Sequence, residues 1–356
     1  FFVQDVYRNR HLTDENTIER GDIAAIRVNV ILTQPTRDKW ERGSVSNEVV
    51  KRPLGTVPVE PNGSVAFRAP ANVPLQLQAL DANGMAVMTM RSCVYLQPGE
   101  TQTCIGCHEQ RTETPPGGGG PVRIRDIKPS PGVDYDNQGF SFTRTVQPVL
   151  DQYCIDCHGL GRQTEEGRSA PRDYIFALPE ATGERNDFQR MPVSYSALVS
   201  NARPRLAHRN SETTTSLPRD YFSHACPMPA MLLEGHRGVE LPQEDFERIV
   251  TWLDMNCQCY GVYGCNREEQ RKVDPDAEIA FRTHVADRFG EELAAQPLGA
   301  LINFADVSQS RILMGPLSIS QGGWEHISPA FTLVSDPAYQ RMAELAAAVL
   351  KPLEYV

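Results

Sequence analysis

Two pentapeptides constrain this chain more than any other feature: Cys104-Ile105-Gly106-Cys107-His108 and Cys154-Ile155-Asp156-Cys157-His158. Both read Cys-x-x-Cys-His, the attachment signature of c-type haem. Two thiols at this spacing, one helical turn apart, form thioethers to the two vinyl groups of one porphyrin. The adjacent His is then carried under the ring as the proximal iron ligand. A Cys₄ zinc site also uses four thiols but leaves both trailing His residues unexplained. Plain disulfides explain neither His. The motifs therefore predict two covalently bound haem c groups, held by Cys104, Cys107, Cys154 and Cys157, with His108 and His158 on iron.

The two motifs are approached differently. Val146, Val149, Leu150 and Tyr153 fall on one helical stripe leading into the second, the way small cytochrome c domains begin. The first follows a strand-rich segment. Strands are expected at 23–32, 55–60, 64–68, 74–80 and 85–90, with turns at Pro61-Asn62-Gly63 and Asp81-Ala82-Asn83-Gly84. Leu75, Leu77 and Ala79 alternate as in a half-buried sandwich strand. The stretch Thr114 to Pro121, with four consecutive Gly, reads as a linker. Helices are expected at 142–155, 192–200, 242–256 and 336–350, with Pro242 at a first helical position and Asp336 as an N-cap.

The predicted fold is α+β: a β-sandwich-like domain over 1–112 ending in the first motif, a linker over 113–140, a mostly helical cytochrome c-like domain over 141–270, and a C-terminal extension over 271–356 packing on it. The 356 residues suffice for such cores. No apolar run has the length of a membrane span. The net charge of −10 disfavours nucleic acid and suits a basic redox partner. Covalent haem is attached outside the cytoplasm, so a periplasmic or extracellular site is expected. Phe1-Phe2-Val3 reads as the interior of a domain, which places an export signal upstream of it. There Cys226, Cys257, Cys259 and Cys265 are expected to form one or two disulfides.

The segments Leu54–Glu60, Gly63–Pro70, Gln78–Ser92 and Leu96–Glu109 resemble the hydrazine synthase alpha-subunit-related proteins, a family of secreted dihaem c-type cytochromes. The likeness continues in Val146–Cys154, Leu233–Leu241, Thr251–Asn256, Ser310–Leu317, Gly322–Trp324 and Asp336–Gln340. It implies the middle and C-terminal portions of such a protein, without the propeller many members carry. It also implies a distal ligand: His236, between Gly235 and Gly238, matches the His of the family's Gly-His motif and is the candidate for the second haem. His224 is a weaker candidate, and Met228 and Met231 compete as thioether ligands. For the first haem, His11, His208, His224, His284 and His326 stay open.

Three functions fit. One is transfer of single electrons between extracytoplasmic partners, including other cytochromes. A second is haem catalysis on small nitrogen or oxygen species, as in hydrazine synthase. The third is a haem-bearing structural subunit of an oligomer, larger complex or filament. Iron coordination separates the first two, and native mass separates the third.

Overall fold

The computed structural model describes residues 1–8, 18–34, 43–45, 49–107, 112, 123–132, 138–159, 174–178, 191–206, 217–263 and 267–352. Strands in chain order are β1 (Phe2–Val3), β2 (Ala25–Ile31), β3 (Lys51–Pro58), β4 (Val65–Phe67), β5 (Leu75–Leu80), β6 (Ala86–Thr89), β7 (Thr103–Cys104) and β8 (Ile124–Arg125). The α-helices are α1 (Phe142–Thr145), α2 (Gln147–Tyr153), α3 (Ile155–His158), α4 (Val193–Ala202), α5 (Pro227–Leu233), α6 (Gln243–Asp254), α7 (Pro275–Phe289), α8 (Glu291–Ala294), α9 (Leu298–Leu301), α10 (Arg311–Met314) and α11 (Pro337–Val349). The chain divides into two units that interleave along the sequence: Phe1–Phe140 with Ala202–Tyr263, and Ser141–Asn201 with Gly264–Val356.

In the first unit the strands form two four-stranded sheets, ordered β7-β1-β4-β8 and β3-β2-β5-β6. The second sheet is antiparallel throughout, with Val28 facing both Leu77 and Gly55. One core takes side chains from both sheets: Val3, Val65 and Phe67 from the first, Ile26, Val28, Val57, Leu75 and Val87 from the second. This is the sandwich-like arrangement the alternating strands predict. Strands as short as β1 and β7 have little ladder of their own. Burial of each large apolar side chain, about 1.5–3 kcal/mol before entropic costs, holds them in place.

The sequence order of domains is not the order of packing. Residues 202–263, expected within the helical cytochrome domain, are built into the β unit. Helix α6 packs Phe246 and Val250 against Met85, Leu232 and Leu241. At its end the buried Asp254 carboxylate accepts from Arg27 Nη1 at 2.8 Å, from the Ala86 amide at 3.1 Å and from the Ser223 amide at 3.2 Å. Gln78 Nε2 donates to the Asp254 carbonyl, and Arg27 Nη2 to the Gly84 carbonyl, both polar groups finding partners away from water. Burial pushes the Asp254 carboxyl up, and Arg27 and Ser223 oppose the shift. This network also corrects the reading of β5 as half-buried: Gln76 and Gln78, on its second face, are buried too.

Cys226, Cys257 and Cys259 are buried in the same unit. The expected disulfide at Cys226 is not formed, and no disulfide joins two described cysteines. Cys226 instead precedes α5 as its N-cap and donates its thiol to the Ala202 carbonyl at 3.0 Å. Burial pushes that thiol up to about 11. Cys265 lies outside the described residues.

The second unit is helical. The helix expected over 142–155 breaks at Val146, which ends α1 and begins α2. Pro148 has no amide hydrogen to continue the ladder, so the chain restarts. Asp336 caps α11 as expected, accepting from the Ala338 amide. Pro242 caps α6 rather than entering it as the first helical residue. Asp274 caps α7 in the same way as Asp336, and Phe281 and Val285 of α7 pack with Met342, Ala346 and Val349 of α11. The C-terminal helices are tied to the motif-bearing ones: Asn303 Nδ2 donates to the Thr143 carbonyl at 2.8 Å, and Arg144 pairs with Glu268.

Candidate haem-attachment sites

The first motif grows out of a strand. Cys104 lies on β7, opposite Val3 in a parallel pairing. The Gln4 and Asp5 amides donate to the Cys104 and Ile105 carbonyls, and the Cys107 amide donates to the Arg8 carbonyl at 3.1 Å. The bend that brings the two thiols to one side passes so close to Arg8 that a Cβ on Gly106 would lie 2.1 Å from its carbonyl oxygen. Only glycine fits there. Cys104 and Cys107 both pack against the sandwich core. Burial, then Cys104 and Asp5, pushes the Cys107 thiol up to about 12. His108 lies outside the described residues.

The second motif is helical, as its preceding stripe predicts. Cys154 ends α2, and its carbonyl accepts from the Cys157 and His158 amides at 3.1 and 2.8 Å. Cys154, Cys157 and His158 thus occupy a single turn. Ile155 points into the core, while the Asp156 side chain is 74% exposed. Burial, then Asp151 and Cys157, pushes the Cys154 thiol up to about 12. Behind it Asp151 is itself buried. Burial pushes its carboxyl up to about 7 against the hydrogen bond from Gln147 and the charge of Arg311.

Tyr174 was not identified from the sequence. Its ring stacks on the His158 imidazole with centroids 4.7 Å apart and planes 25° from parallel. No spacing rule links a tyrosine so far along the chain to the motif, and no signal in the sequence marks it.

These residues fit haem c. At both motifs the thiols stand one turn or one bend apart, and those of the first pack against the apolar core. At the second motif the stack engages the face of the imidazole, and both ring nitrogens lie on its edge, the direction of an iron bond. Among the described residues no three His, Cys, Asp or Glu side chains gather into a metal-ion site. Haem needs none, because the porphyrin supplies four of the iron's ligands.

The candidate distal ligands are placed as follows. His236 opens a 3₁₀ turn after the left-handed Gly235 and belongs to the β unit, whereas His158 belongs to the helical one. The two were expected in one domain. His224, in the β unit, has Nε2 3.2 Å from Asp81 Oδ2, an ion-pair contact without the alignment of a good hydrogen bond. Burial acts to raise the Asp81 carboxyl, but His224 and the Met85 and Asn83 amides hold it below its usual range. Met228 is buried on α5, and Met231 is exposed. His284 lies on α7 and His326 is exposed on a loop of the same unit. His11 and His208 lie outside the described residues. Among the described residues, no helix is long and apolar enough to cross a membrane.

A family model for the hydrazine synthase alpha subunit middle domain matches residues 21–109, a span that closes on the first motif. Hydrazine synthase subunit alpha of Kuenenia stuttgartiensis is 23% identical across 59% of this chain and 33% of its own length. The solved Kuenenia stuttgartiensis hydrazine synthase aligns with a TM-score of 0.49 and 17% identity, over 73% of this chain and 43% of that one. The chain thus spans about a third of the length of the curated relative it matches. Residues 21–109 thus match a hydrazine synthase alpha-type middle domain, and the chain is similar to the alpha subunit of that enzyme.

Proposed function

We propose that this chain carries two covalent haem c groups, at Cys104 with Cys107 and at Cys154 with Cys157, and takes part in haem catalysis on small nitrogen or oxygen species. The observation that carries the reading is the first motif standing at the end of the hydrazine synthase alpha-type middle domain. When bound, haem would supply one-electron chemistry and an iron able to take a small ligand. The protein's part is to hold the thiols in place, to present His108 and His158 as proximal ligands and to bury one side of each ring. Export to the periplasm or beyond, and assembly with further chains, accompany this reading.

Single-electron transfer between redox partners is the second reading, favoured by two motifs in one chain. Coordination separates the two. The test is expression of the chain with haem-attachment machinery, followed by denaturing mass spectrometry, spin resonance and carbon monoxide titration. Catalysis predicts two haem adducts, with one haem high-spin and binding carbon monoxide. Two low-spin haems inert to carbon monoxide favour electron transfer. A bare polypeptide mass overturns both.

A further inference from the structure

The contact between Tyr174 and His158 is held from more sides than packing requires. The Tyr174 amide donates to the His158 carbonyl at 2.8 Å, closing the chain back onto the motif. The Tyr174 carbonyl accepts from Gln147 Nε2 at 2.9 Å. Its hydroxyl accepts from Asn201 Nδ2 on α4 at 2.8 Å. Gln147 is buried and also donates to Asp151 Oδ1, so its own rotamer is fixed. Tyr174 is 7% exposed. The phenol ring is therefore pinned at its backbone and at its tip, with its face on the imidazole.

We infer that Tyr174 is the positioning residue for His158, setting the plane in which the imidazole meets iron. This rests on the haem reading above. A stacked imidazole keeps its edge toward a metal but loses rotation about the metal–nitrogen bond. The groups that orient a metal-bound His tune the metal nearly as much as the ligand does. Here the orienting contact is a π face rather than a hydrogen-bond acceptor. Its angle is set from α2 and α4, through Gln147 and Asn201.

The test uses the full chain loaded with haem. Tyr174→Leu removes the ring and is expected to retain both haem adducts by mass. The spin-resonance signal and midpoint potential of one haem should shift while the other's stay in place. Tyr174→Phe keeps the ring and loses the hydroxyl, and Asn201→Ala releases the same hydroxyl from the other side. Both should move the same haem's signal, in the same direction and by less. These two variants also carry the test if Tyr174→Leu does not fold. Unchanged spectra and potentials, with both haems attached, overturn the inference. A wild-type chain with no adduct at Cys154 and Cys157 overturns the haem reading instead, and the mass spectrum separates the two failures.

Discussion

The same five-residue pattern is built here in two ways. At Cys104–Cys107 the thiols come from a strand and a bend locked onto a neighbouring backbone; at Cys154–Cys157 they come from the two ends of one helical turn. The second of the two spacer residues shows the difference most clearly. It is Gly106 in the first motif, where any Cβ strikes the Arg8 carbonyl, and Asp156 in the second, where the side chain stands in solvent. A helix supplies the thiol spacing from local geometry and tolerates any outward side chain. A bend supplies it only while long-range contacts keep it in shape.

The largest expected effect breaks the two sites apart. Cys154→Ala with Cys157→Ala should remove one haem adduct completely and leave the other, and Cys104→Ala with Cys107→Ala should do the reverse; denaturing mass spectrometry reads both. Next is the network that builds α6 into the β unit. Asp254→Ala leaves Arg27 buried without its carboxylate, and losing one partner of a buried pair costs about 3–5 kcal/mol. Denaturant unfolding should show that loss in the β unit, while attachment at Cys154 and Cys157 persists.

Asp151 gives the helical site a pH dependence. Its carboxyl is raised, mainly by burial, to about 7. The folded chain therefore holds a proton that the unfolded chain releases near pH 4, so this contribution is complete below about pH 4 and lost as pH rises toward 7. The slope is about 1.4 kcal/mol per pH unit, at most about 4 kcal/mol across the window. Asp151→Asn should flatten that part of the profile in unfolding experiments at pH 4, 5.5 and 7. An unchanged slope places the proton elsewhere.

The smallest effects sharpen the comparison between the motifs themselves. Gly106→Ala forces a Cβ against the Arg8 carbonyl and should cost about 1–3 kcal/mol, as overpacking does. Asp156→Gly, the reverse exchange at the helical motif, should cost about 1 kcal/mol or less. Equal costs, measured by thermal or denaturant unfolding, would contradict the account of a rigid bend and a tolerant helix.

Much of this was legible in the residues. The strands over 25–31, 51–58, 65–67, 75–80 and 86–89 follow their β-branched and alternating stretches, and α6 and α11 follow their apolar stripes. The cap signal at Asp336-Pro337 also occurs at Asp274-Pro275, and α7 begins there although it was not expected. An apolar stripe says that a face is buried, not against what. That is why α6, assigned by chain order to the second motif, packs on Met85 and bonds Arg27 instead.

What the amino-acid sequence determined by itself is the local chemistry: paired thiols followed by a His, strand alternation, and the caps at Asp336 and Asp274. Each of these rests on interactions within a few residues, so a short window contains its cause. Only the tertiary structure decided that the chain's two units interleave, that Gly106 must be bare while Asp156 is free to vary, and that Tyr174 lies on His158. Those outcomes depend on which of many similar apolar faces and polar groups meet across the chain. Burial is non-directional, so the partner is chosen by the whole packing rather than by any one segment.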